Sequence, residues 1–105
     1  MMNSKIQELK LAVNFIKESK SVVAYSPALD ISTAGKDKKE ARKNFEELVS
    51  IFFSDIVERN VVGNVLSDLG WSKKSSLVNK QNPISGWTQP KISQDTIQVQ
   101  IPQMV

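Results

Sequence analysis

The chain contains neither histidine nor cysteine, so any chemistry it performs has to come from carboxylates, lysines and hydroxyls. Asp30, Asp37 and Glu40 invite inspection first, because two carboxylates at short range do acid–base work or hold Mg²⁺. Asp30 is the acid inside the strand region. Asp37 stands three residues before Glu40, where a helix has to begin. There one carboxylate accepts from the free N–H groups of the first turn and the other reaches back, a capping arrangement worth about 1 kcal/mol. Helix capping accounts for that pair and leaves no catalytic dyad. The phosphate loop, the dinucleotide-binding glycines, the nucleophile elbow and Ser-x-x-Lys are all missing from the sequence. Without Cys and His, disulfides, thiol nucleophiles and the commonest metal ligands are missing too. The chain reads as a protein that is not an enzyme and takes no cofactor or metal.

A second chemistry is the binding of nucleic acid by lysines beside aromatic rings, for which Lys73, Lys74, Lys80 and Lys91 with Trp71 and Trp87 supply the groups. The formal charge is only +3, a low density for such a role, so core packing is the plainer use of both tryptophans. In the middle of the chain Lys36, Lys38, Lys39, Arg42 and Lys43 precede Glu46, Glu47, Asp55 and Glu58. That order opposes the preference of a helix for acids first and bases last. Pairs four apart, Arg42 with Glu46 and Lys43 with Glu47, offer partial compensation on a solvated face.

These residues must be held by a fold, and 105 residues with 40% hydrophobic content suit one domain with one core. The start, Met1 to Lys10, carries charges where a signal peptide needs an apolar run, and no later segment has the length of a membrane span. A cytoplasmic protein without membrane contact is expected. In residues 6–15, Leu9, Leu11, Val13 and Phe15 alternate with polar or small residues, the period of a half-buried strand. Glu18–Ser21 is a hairpin turn. Val22–Ser26 is a second strand stopped by Pro27, and Leu29–Ala34 a third, closed by Gly35. From Lys38 to about Arg59, Ala41, Phe45, Leu48, Val49, Phe52 and Ile56 form one apolar stripe of a long helix. Asn60 is placed to cap a shorter helix that ends at Gly70, with Trp71 packing back on its last turn. Ser72–Pro90 reads as an ordered loop or short hairpin, and Thr96–Ile101 alternates as a last strand until Pro102. The fold class is therefore α+β: a three-stranded antiparallel meander, a long and a short helix on one face, and a fourth, C-terminal strand (βββααβ).

The order Val23-Ala-Tyr-Ser-Pro-Ala-Leu-Asp30, Gly35-Lys-Asp37-Lys-Lys-Glu40-Ala41, the long striped helix and Asp68-Leu-Gly-Trp71 resembles the HicB-like antitoxin domain. Its members read approximately Val-Ala-Tyr-x-Pro-x-Leu, a Gly step, and Glu-Glu-Ala at the helix start. The resemblance covers about residues 8–71. It implies a reduced RNase H-like fold without catalytic residues and a single HicB-like domain over 1–105, with core 6–71 and a loop and strand over 72–102. It also implies a role as an antitoxin that masks a HicA-like mRNA-cleaving toxin, across an interface of at least about 1,000 Å². Many members carry a C-terminal DNA-binding domain. Residues 72–105 have neither a helical period nor the length for one, which argues against DNA binding. Many also have a Gly-aromatic pair where this chain reads Lys20-Ser-Val-Val23. The alternatives are a small nucleic-acid-binding protein and an orphan HicB-like interaction module without a toxin.

Partner contact should fall to residues the helix–sheet core does not need. Tyr25, Pro27, Leu29 and Asp30 make the corner between the second and third strands, while Ile51 and Phe53 flank the helix stripe. Either group would also serve self-association, and a homodimer is expected.

Overall fold

The computed structural model describes residues 9–74 and 83–102. Strands β1 (Asn14–Lys17), β2 (Val22–Ser26) and β3 (Ile31–Gly35) form an antiparallel meander in the order β1-β2-β3. Helix α1 (Lys38–Glu58) and the short α2 (Val62–Asp68) follow, and then β4 (Ser72–Lys73) pairs antiparallel with β5 (Trp87–Thr88). The α+β class and the βββαα order stand as the pattern predicts, with the later strand pairing inside Ser72–Pro90, the stretch expected to be a loop or hairpin.

Register explains why the first strand is shorter than its alternation. Asn14 faces Tyr25 and Lys17 faces Val22, so Val13 falls opposite Ser26, the last residue of β2, and the next ladder position would set Ala12 against Pro27. There Pro27 turns β2 away. Residues 9–13 keep the alternating burial of an extended segment, and Leu9, Leu11 and Val13 still pack on the core, but they have no ladder. The third strand begins at Ile31 rather than Leu29, because the amide of Asp30 donates to the carbonyl of Ser26 and folds Leu29 into the turn.

Alternation divides the sheet. Phe15, Val22, Ala24, Ser26, Ile31 and Thr33 face α1, which lies over β2 and β3. Ala24 and Ala41 are fully buried, so small side chains on both layers let helix and sheet approach closely. Gly35 marks the closest point: a methyl group there would lie 2.7 Å from the carbonyl carbon of Glu40 and 2.9 Å from the Cα of Ala41. One buried cluster gathers Ala24, Ala41 and Phe45, another Ala28, Leu29, Ile56, Leu66 and Trp71, with Leu11, Ile31 and Val49 touching both. Burying Leu29 or Leu66 contributes about 1.5–3 kcal/mol each.

Capping fixes the helix ends. Asp37 accepts from the amide of Glu40 at 2.8 Å, and Glu40 accepts from the amide of Lys36, one residue before the cap, also at 2.8 Å. At the other end the amide of Asn60 donates to Val57 and that of Val61 to Ile56. With Asn60 at φ 56°, this is a left-handed C-terminal closure. Asn60 therefore ends α1 instead of capping α2, whose N-cap is Val61 with no side-chain hydrogen bond. The same closure ends α2, where Gly70 (φ 91°) donates to Ser67 and Trp71 to Leu66.

The expected strand Thr96–Ile101 does not form. Residues 89–102 are extended without a ladder, and Ile97, Val99 and Ile101 are 76%, 69% and 80% exposed. Alternation supplies the side-chain pattern of a strand, and among the described residues no neighbouring strand supplies the hydrogen bonds.

Candidate functional site

The corner between β2 and β3 is built from Ser26. This fully buried side chain accepts the amide of Leu29 at its Oγ (3.2 Å), while its carbonyl accepts the amide of Asp30 (2.8 Å). Pro27 enters the turn with a preset φ, and Asp30 leaves it in the left-handed region at φ 54°, which Asp tolerates better than most residues. Ala28 and Leu29 point inward, and the indole nitrogen of Trp71 donates to the carbonyl of Ala28 at 2.9 Å. The corner is thus fastened from below by a residue 43 positions later in the chain.

What reaches the surface is polar and close together. The phenol of Tyr25 donates to the Asp30 carboxylate at 3.0 Å. That hydrogen bond, followed by partial desolvation and the charge of Asp30, raises the Tyr25 pKa above its ordinary 10.0. Tyr25 also belongs to the sheet face turned away from α1. There Ile16, Val23 and Ala34 make one cross-strand row, and Asn14, Tyr25 and Ser32 make the next. Ile16 is 49% exposed, and no described element covers this face. It passes directly into the corner through Tyr25.

Of the six expected contact residues, the structure brings Tyr25, Pro27 and Asp30 together at the surface. Leu29 is 2% exposed and belongs to the core, so it offers a partner nothing. Phe53 is drawn inward too: its ring meets Phe52 edge-on at 5.3 Å and Trp71 at 6.5 Å. Ile51 is 66% exposed on another side of α1, as two residues of a helix are about 200° apart. Ile51 and Phe53 do not form one surface. Ile16, Val23 and Ala34 escape sequence reasoning because Ile16 falls one residue beyond the alternation that ends at Phe15. Its facing toward Val23 becomes visible only with the hairpin register.

A second feature follows from the helix lying over β2 and β3. The inner side of β1 is left facing a cavity of about 540 Å³, with Leu11, Val13, Phe15, Phe45 and Val49 inside it and Lys10, Arg42 and Glu46 at its edges. The Lys38 ammonium lies over the ring of Phe15, 5.0 Å from its centre. Among the described residues no group of three or more acids is arranged to hold a metal ion, and no helix is long and apolar enough to cross a membrane. Lys73, Lys74 and Lys91 are exposed, but Trp71 is buried and hydrogen-bonded, so it presents no stacking face. Lys80 lies outside the described residues. Comparison with protein-family profiles, with curated proteins and with solved structures gives no match.

Proposed function

We propose that this chain is a non-catalytic, HicB-like antitoxin that binds a HicA-like mRNA-cleaving toxin and masks it sterically. The observation that carries this reading is the corner of Tyr25, Pro27 and Asp30, rigidly fastened through Ser26 and Trp71 and continuous with an uncovered sheet face. A pre-organised surface loses little entropy on association, so more of its contact energy appears as affinity. A protein that cleaves RNA needs cations to hold phosphates. The Asp30 carboxylate is the complement this corner offers, with Ile16 and Val23 supplying apolar area beside it. The order of motifs from Val23 to Trp71 supports the same family, and the Trp71–Ala28 hydrogen bond gives its two ends a shared structural purpose.

The test is co-purification with a HicA-like protein encoded beside this chain, together with RNA cleavage by that protein in the presence and absence of the chain. A stable complex that suppresses cleavage is expected, weakened by Tyr25→Ala and by the charge-removing Asp30→Asn. Unchanged cleavage in the presence of excess folded protein would reject the reading.

A further inference from the structure

The exposed tail contains a short palindrome. Ile97-Gln-Val-Gln-Ile101 reads the same in both directions about Val99. It carries no charge, it is extended, and its three β-branched side chains are 69–80% exposed. In an extended chain those three share one face and the two glutamines the other. Gln89 is tied to the body through its side-chain amide, which donates to the carbonyl of Lys10 at 2.6 Å, and Pro90 is half-buried beside Gly70; from Lys91 to Pro102 every residue is exposed, and the molecule reaches 66 Å along its longest axis. The segment thus projects away from the strands of its own sheet.

We propose that residues 97–101 pair antiparallel with the same residues of a second copy of this chain, about a two-fold axis through Val99. In that register Ile97 faces Ile101, Val99 faces Val99 and Gln98 faces Gln100, so every side chain meets one of its own kind at both ends of the ribbon. A shift by two residues leaves an isoleucine unpaired at each end, and a shift by one puts glutamine opposite isoleucine. An edge of a different protein would gain nothing from the palindrome, whereas an isologous contact requires such self-complementarity. Thr96 then faces Pro102, whose missing N–H closes the ladder where no further bond is needed. The inference is independent of the antitoxin reading, since a chain that masks no toxin would pair in the same way.

The absence of cysteine makes the test direct. Val99→Cys places one thiol per chain on the axis, where facing Cα atoms of an antiparallel pair lie about 4.5–5.5 Å apart, within the reach of a disulfide. Under mild oxidation this variant should cross-link to a covalent dimer much faster than Ile92→Cys. In sedimentation over a concentration series the parent should dimerise, and Val99→Asp, which sets two carboxylates against each other, should weaken dimerisation at least about tenfold. Circular dichroism should stay that of the parent, because the tail adds nothing to the core. A parent that is monomeric throughout, cross-linking no faster than at Ile92, a dimer indifferent to Val99→Asp, or growth past two copies by open stacking would each overturn the proposal.

Discussion

The indole of Trp71 holds the carbonyl of Ala28 at 2.9 Å, with both residues almost wholly buried. One hydrogen bond therefore joins the residue just past α2 to the middle of the β2–β3 corner. Trp71→Phe keeps an aromatic ring but removes the donor, leaving a buried carbonyl without a partner. The expected loss is about 1–3 kcal/mol in chemical denaturation. A Trp71→Phe variant as stable as the parent would show that the aromatic ring alone, and not the hydrogen bond, fastens the corner.

Gly35 is needed for space rather than for its backbone angles. Gly35→Ala drives a methyl group into the backbone of Glu40 and Ala41, which cannot yield without lifting α1 off β3. A destabilisation of about 2–3 kcal/mol is expected, read as a lower denaturation midpoint. A variant as stable as the parent would mean that the first turn of α1 relaxes at no cost.

Asn60 closes α1 at positive φ, so its replacements should sort by backbone tolerance. Asn60→Ala should lose about 1 kcal/mol, and Asn60→Gly should match or exceed the parent in thermal melts. Equal losses from both would point to the asparagine side chain instead.

Tyr25 is the single tyrosine of the chain, so its ionisation can be followed by absorbance without overlap from another phenol. It should titrate above 10.0, because the neutral phenol donates to Asp30 while the phenolate would face a carboxylate. A folded pKa raised above the unfolded one means that the folded state holds this proton more tightly. The associated stability is therefore complete below pH 10.0 and is lost as pH rises through the higher folded value. Asp30→Asn should bring the titration back toward the ordinary value. An unchanged curve in that variant would separate the shift from Asp30.

Much of this structure is legible from local pattern. Val22–Ser26 ends where Pro27 removes a donor, and α1 begins where Asp37 and Glu40 supply its cap, because those residues act within one turn of themselves. The errors arise where one residue type serves two purposes or where the outcome depends on distant chain. Asn60 suits both a helix start and a left-handed helix end, and the hydrogen bonds of Val61 and Asn60 to the preceding turn decide for the second. Leu29 looks available in an alternating run, yet the bonds to Ser26 turn it inward. Ile97, Val99 and Ile101 have the spacing of a strand, but a strand exists only beside another. The open face with Ile16, Val23 and Ala34 needs the register of two hairpins, which no window of sequence contains.

The ordering of charge on α1 has a physical outcome beyond local stability. Lysines 36, 38, 39 and 43 and Arg42 outnumber the capping acids Asp37 and Glu40 at the end where the peptide dipoles are already positive, while Asp55 and Glu58 lie near the opposite end, with Arg59 offsetting one of them through its pair with Asp55. Over a rod of about 30 Å the two contributions reinforce each other, giving a particle polarised along α1, an asymmetry that its modest net charge conceals. Such a particle experiences a torque in the field of any charged macromolecule nearby, so it is rotated before it touches and the first collision already favours one end. Added electrolyte should erase that guidance and slow the encounter while leaving the rate of separation nearly unchanged.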